Sequence, residues 1–194
     1  MQTVKIISYA LLVVAIGMGY YLFTRIKGPI DELNHIQRVE GQIIAKLKVI
    51  REAEKAYFNK YAKYAGSCDQ LMNFIQNEQI YRVARKETII EREAYLGDSI
   101  VVELDTLGSI AVRDSLFTPE TLPPGVTLNN LCRVPGSSEQ FKFYAGEVQR
   151  TGGYILQVVE VADPSPINPE RVRGPKEPLK FGSQSEVTTS GNWE

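Results

Sequence analysis

From Ile6 to Thr24 the chain carries no charged side chain, and Lys5 and Arg25 close this run, IISYALLVVAIGMGYYLFT, at its two ends. A helix satisfies its own backbone N–H and C=O groups, and about 20 apolar residues at roughly 1.5 Å each cross the hydrocarbon core of a bilayer. The run therefore predicts a single membrane anchor. Ile6, Leu11, Leu12, Val13, Val14, Ile16, Tyr20, Tyr21, Leu22 and Phe23 are the side chains it would present to lipid. Tyr9 near one end and Tyr20, Tyr21 and Phe23 near the other suit the two headgroup boundaries. A cleaved signal peptide is the competing reading, since it too begins with a basic residue and an apolar core. Leu22, Phe23 and Thr24 stand where cleavage needs small side chains, which favours a retained anchor.

Basic residues lie on both sides of the run, Lys5 before it and Arg25 and Lys27 after it, so the charge bias alone leaves the orientation close to balanced or leaning toward a cytoplasmic C-terminal part. A short amino-terminal stub followed by a long hydrophilic segment is the layout of an exported, signal-anchored protein. The expected location is therefore the inner membrane, single-pass, with a periplasmic C-terminal domain.

Past the anchor enough chain remains for one compact domain with its own core. The 22 Lys plus Arg against 23 Asp plus Glu include no long block of one sign, so the electrostatic footprint of a nucleic-acid binder is missing. Cys68 and Cys132 are the only cysteines, too few and too far apart for a CxxC redox pair or a zinc cluster. They would form one disulfide in an oxidising compartment, or stand as two buried thiols in a reducing one.

After Gly28-Pro29, residues 30 to 64 hold few helix breakers. Ile36, Ile43, Ile50, Tyr57 and Tyr64 recur every seven residues, with Leu33, Leu47 and Tyr61 in the same register, which predicts one long amphipathic helix over 30–66. The period resembles a coiled-coil seam, interrupted by Glu40 and Glu54. Ile36, Ile43 and Ile50 are expected to meet a partner helix, from another envelope protein or a second copy, while the aromatic end roofs the chain's own sheet. Lys46, Lys48, Arg51, Lys55 and Lys60 read as a solvated face. Gly66 is expected to end the helix, and Ser67 or Asp69 to cap a short second one over 70–77 with Leu71, Met72, Phe74 and Ile75 as its apolar side.

The segment IREAEKAYFNKYAKYAGSCDQLMNFI, residues 50–75, resembles the end of the long helix of type IV pilins and pseudopilins. Together with the terminal GSQSEVTTSGNWE, most of the chain also resembles a group of uncharacterised single-pass envelope proteins of Bacteroidota. The likeness implies an architecture: a membrane helix continuing into a helix covered by a sheet. It does not imply a filament subunit, because prepilins carry a Gly just before the apolar run and a Glu five residues into the mature helix, whereas here Lys5 precedes Ile6 and no acid occurs until Asp31.

Beyond residue 77, Arg82, Arg85, Lys86 and Glu87 fit a solvated helix face but Tyr81, Val83, Thr88, Ile89 and Ile90 favour a strand over Ile80 to Ile90, while Ile100–Leu104 and Ser109–Arg113 read as a hairpin around Asp105–Gly108, and Gln140–Val148 and Gly153–Val161 as a second hairpin turning at Thr151–Gly153. Phe141, Phe143, Ile155, Val159 and Val161 are the candidates for its buried face. The proline-rich 118–138 crossing should tuck Leu128 and Leu131 inward. The predicted class is α+β, with a long helix on a small antiparallel sheet, divided as anchor 1–29, helix 30–66, domain 67–162 and tail 163–194. That tail is too rich in Pro, Gly and Ser to fold alone. Its Phe181 and Trp193 are expected to anchor it, on the domain or in a partner.

Catalytic chemistry finds little purchase. The sole histidine, His35, lies on the membrane-proximal helix among polar residues, and Asp98, Glu103, Asp105 and Asp114 read as a solvated strand edge. No glycine-rich phosphate loop is present, and no cofactor or metal is expected. The expected role is that of a non-enzymatic structural or assembly component of a trans-envelope machine for secretion, pilus or motility, contacting membrane lipid and other envelope proteins. A tethered periplasmic module binding a soluble ligand or polysaccharide is the alternative.

Overall fold

The computed structural model describes residues 2–90, 99–118 and 121–194, with an α+β fold. Helix α1, Gln2–Tyr61, is continuous. Gly28-Pro29 does not divide it: Pro29 sits inside the helix, where its ring nitrogen forfeits one hydrogen bond to the preceding turn. Two compact units are distinguished, Met1–Gln42 and Ile43–Glu194. The first is helix throughout its described length. In the second, the end of α1 is joined by everything that follows, the tail included.

The helix ends at Tyr61 and not at Gly66. Ala62 takes the left-handed conformation at φ 53° that usually falls to glycine, and its N–H donates to Phe58 C=O at 2.7 Å. An alanine there costs about 1 kcal/mol. Aromatic packing surrounds this turn: Phe58 stacks on Tyr64 with ring centroids 4.7 Å apart, and Tyr57 meets Phe74 edge-on at 5.1 Å. Ser67 caps helix α2, Cys68–Asn77, by accepting the Gln70 N–H, and α2 buries Leu71, Phe74 and Ile75.

Strands β1, Gln79–Ile90, and β2, Ser99–Ala111, form a two-stranded antiparallel sheet. The turn expected at Asp105–Gly108 is absent, because β2 runs straight through it. Arg82 pairs with Gly108 and Val83 with Thr106, so Leu107 is the extra residue of a bulge that Gly108 permits at φ 136°. The residues expected to reverse the chain instead form a bulge within one strand. The stretch read as the strand's end is instead helix α3, Val112–Leu116, with Val112 buried.

A second sheet holds β3, Lys142–Gln149, β4, Ile155–Ala162, and β5, Lys180–Gly182, in the order β3-β4-β5, all antiparallel. The expected hairpin at Thr151–Gly153 is present. Its buried side holds Phe141, Val159 and Val161, with Phe143 half-buried, while Ile155, next to the turn, is 62% exposed. Leu131 is buried and Leu128 half-buried beside the single-turn 3-10 helix Leu128–Asn130. The tail crosses the short helix α4, Pro169–Val172, and then supplies β5, which sets Phe181 opposite Val161.

Candidate interaction surfaces

The first surface is the apolar half of α1. Leu11, Leu12, Val13, Val14, Ile16, Tyr20, Tyr21, Leu22 and Phe23 are all exposed, as are Ile26, Ile30 and Leu33 beyond them. The side chain of Ile6 lies outside the described residues. This is one helix long and apolar enough to cross a membrane, and none of its most apolar window is buried. Where the apolar run ends, the Arg25 guanidinium lies 5.3 Å from the Tyr21 ring and donates to its hydroxyl at 3.2 Å, and Lys27 lies 5.7 Å from the Phe23 ring.

The stripe assigned to a partner helix is differently disposed. Ile36, Ile43 and Ile50 are all buried, Ile43 and Ile50 to 1% exposure or less, together with Leu47 and Ala53. Seven-residue spacing located an apolar seam correctly, and in the second unit that seam belongs to the chain's own core. The basic face also divides. Lys48 is exposed, but Lys46 is only 7% exposed, and its ammonium donates to the carbonyls of Asn130 and Arg133, to the latter at 2.8 Å. Burial and the nearby Arg133 guanidinium lower its pKa. Arg51 donates to the Glu194 carboxylate at 2.6 Å, and Lys60 pairs with Glu78 and donates to Gln79 C=O at 2.9 Å. Three α1 cations thereby hold three separate segments: Lys46 the 130–133 loop, Arg51 Glu194, and Lys60 the start of β1.

Cys68 and Cys132 form a disulfide, with Cα atoms 6.2 Å apart. It fastens the start of α2 to the strand-like segment 132–134, whose Val134 N–H donates to Glu139 C=O and whose Cys132 C=O accepts from Phe141 N–H. A cleft of about 370 Å³ opens over the bond, between Asp69, Met72 and Arg133, and a larger one of about 500 Å³ lies further along α2 between Gln76, Arg113, Phe117 and Leu122.

Phe181 is fully buried and Trp193 half-buried, both within this chain. The Trp193 ring lies on Gly191, where an added Cβ would stand 2.3 Å from it, and its buried indole N–H has no hydrogen-bond partner among the described residues. Of the acids considered for chemistry, Asp105 and Asp114 are exposed, Asp98 lies outside the described residues, as does the Glu103 side chain, and His35 is exposed on α1. Sequence reasoning missed Glu54 as a feature of interest. It is 1% exposed and burial lifts its pKa to about 8, although the Ala65 N–H it accepts at 2.9 Å acts in the opposite direction. An acid interrupting an apolar seam was the available signal.

No family model, no curated protein and no solved structure matches this chain.

Proposed function

We propose that the protein is a non-enzymatic, membrane-anchored structural or assembly component of a trans-envelope machine serving secretion, pilus assembly or motility. In this reading α1 crosses the inner membrane over residues 6–24, the domain 43–194 stands in the periplasm, and the arrangement is pilin-like in outline. The observation that carries it is the exposure of every large apolar side chain from Ile7 to Phe23, a surface water does not tolerate and lipid solvates. The Cys68–Cys132 bond supports the periplasmic side, since such bonds persist in oxidising compartments. With Ile43 and Ile50 occupied in the chain's own core, lateral contacts with other membrane subunits fall to the exposed residues Ile26, Ile30 and Leu33 and to the anchor itself.

The test is fractionation and crosslinking of native membranes. The full chain should resist carbonate extraction, its domain should be degraded by protease only once the outer membrane is opened, and crosslinking with mass spectrometry should join it to other envelope subunits. Recovery in the soluble fraction with its first residues missing, or a chain that purifies alone from mild detergent, would overturn the reading. The second outcome would favour the alternative, a tethered ligand-binding module, for which the 500 Å³ cleft at Arg113 and Phe117 is of suitable size.

A further inference from the structure

The outer edge of β3 is open. In an antiparallel ladder the backbone groups of successive residues point alternately to the two sides of a strand. Arg150 N–H donates to Tyr154 C=O at 2.9 Å, toward β4, whereas Phe141 N–H donates to Cys132 C=O at 2.9 Å, on the opposite side. Even-numbered residues of β3 therefore bond inward and odd-numbered ones outward. The segment around Cys132 covers this outer side only as far as Phe141. Past it, the N–H and C=O groups of Phe143, Ala145, Glu147 and Gln149 face outward, and no hydrogen bond to them is formed among the described residues. The far edge of the same sheet is treated differently: Phe181 of β5 bridges to Gly191, and Gly182 N–H donates to Ser190 C=O at 2.9 Å, so the tail closes it. Soluble proteins blunt open edges with bulges, prolines or runs of charge. β3 pairs with β4 without a register shift and holds neither proline nor a charge run, only Lys142 and Glu147.

We propose that this edge is a docking site for the β3 strand of a second copy of the chain, joining two three-stranded sheets into one of six strands. Outward groups must meet outward groups, which restricts the registers. With the two-fold axis at Ala145, Ala145 faces its own counterpart, Phe143 faces Glu147, Lys142 faces Val148 and Tyr144 faces Gly146. The Tyr144 ring, 39% exposed, lies over Gly146 of its own strand, its hydroxyl 2.7 Å from where a Cβ would stand, so the two copies bring their Tyr144 rings to the same face of the new seam. Moving the axis to Gly146 would set Lys142 against Arg150, two like charges. Moving it to Tyr144 would set Phe141, whose N–H Cys132 already occupies, opposite Glu147 inside the ladder, whereas the axis at Ala145 sets it opposite Gln149 at the ladder's end. One lysine and one glutamate leave the strand neutral, so two copies approach without repulsion. The inference uses residues 132–191 alone and holds whether or not α1 enters a membrane.

The experiment uses the full chain in detergent micelles. Both native cysteines are bonded to each other, so a thiol introduced as Ala145→Cys reports by itself. A short bismaleimide should convert most of the Ala145→Cys chain to dimer and leave a Ser185→Cys control monomeric. Native mass spectrometry should find the unmodified chain dimeric, Ala145→Asp and Ala145→Lys each monomeric, and an equal mixture of the two dimeric again. Urea unfolding of the two charged variants confirms that each is folded, and the Ala145→Cys crosslink stands independently of that check. A monomeric unmodified chain, no Ala145→Cys crosslink, a mixture that stays monomeric, or a crosslink from position 145 in native membranes to a different protein in place of a second copy would each overturn the proposal. Dimers that survive Ala145→Asp would place self-association on α1 instead and also overturn it.

Discussion

Glu54 accepts the Ala65 N–H on Oε2 at 2.9 Å, across the turn that joins α1 to α2, while its Oε1 is buried with no hydrogen-bond partner among the described residues. A charged carboxylate in that position would have one oxygen desolvated and uncompensated, so the proton stays on until about pH 8. Tyr64, on the same turn, is held above its ordinary pKa by its own burial and by Glu54. The junction is therefore stable with Glu54 neutral.

The sign of the resulting pH dependence is fixed. The folded pKa, about 8, exceeds the unfolded value near 4.5, so the folded state binds the extra proton between those limits and stability falls as pH rises through that window. The loss is on the order of a few kcal/mol. Urea midpoints should be highest near pH 5 and decline toward pH 9. Glu54→Gln, which keeps an acceptor for Ala65 but cannot ionise, should flatten the curve and cross above the unmodified protein on the alkaline side. A midpoint unchanged across the window would refute the buried-acid account.

Lys46 gives a second measure of the same helix. Its ammonium is the donor to two backbone carbonyls at the end of the 128–130 turn, Asn130 and Arg133. Lys46→Met retains the packing of the stem and leaves both carbonyls short of a partner, at a cost of about 2 to 3 kcal/mol. Lys48→Met, on an exposed neighbour, should change stability by less than about 0.5 kcal/mol. Equal effects of the two substitutions, read by urea unfolding, would mean that the Lys46 bonds contribute nothing.

The contrast between these two lysines also marks what was legible in the sequence. Periodicity located the apolar seam at Ile36, Ile43 and Ile50, capping preference narrowed the start of α2 to Ser67 or Asp69, and turn residues placed the hairpin at Thr151–Gly153, because each rests on local pattern. Whether a seam meets a partner or the chain's own core is decided by distant segments, so the burial of Ile43 and Ile50, and the partners of Lys46 and Arg51, were invisible. Ala62 shows the same limit at a helix end: a nearby aromatic cluster set the stop four residues before the glycine that local rules selected. The tail was recognised by its anchors, Phe181 and Trp193, against a composition that argued for disorder. Bringing Phe181 opposite Val161 takes a strand pairing that no local pattern encodes.

The Cys68–Cys132 bond closes a loop that contains the whole β1–β2 hairpin and α3. On the chain-entropy account, closing a loop of that length contributes about 4 kcal/mol by restricting the unfolded chain. The double substitution Cys68→Ser with Cys132→Ser should lower unfolding stability by about that amount, and a reductant should do the same to the unmodified protein. Stability that is indifferent to reductant, with thiols shown to be free by labelling, would remove this staple from the account and with it the support for an oxidising compartment.

Two glycines with similar backbone angles separate conformational cost from steric cost in the tail. Gly153, in the β3–β4 turn, has φ 83° and open space around the position of a side chain. Gly182, at the end of β5, has φ 77°, and a Cβ there would stand 1.9 Å from the Val159 carbonyl oxygen. Gly153→Ala should cost only the strain of a positive φ, about 1 to 2 kcal/mol. Gly182→Ala carries that strain and must also push β5 away from β4, which pulls Phe181 from its site beside Val161. Its cost should approach that of Phe181→Ala, about 3 to 5 kcal/mol for a buried phenylalanine. Limited proteolysis supplies an independent reading: Gly182→Ala should expose the chain after Asp163 to cleavage while Gly153→Ala leaves it resistant. If the two alanines prove equally mild and the tail stays protected in both, the carboxyl-terminal strand is not held by the close approach of Gly182 to Val159.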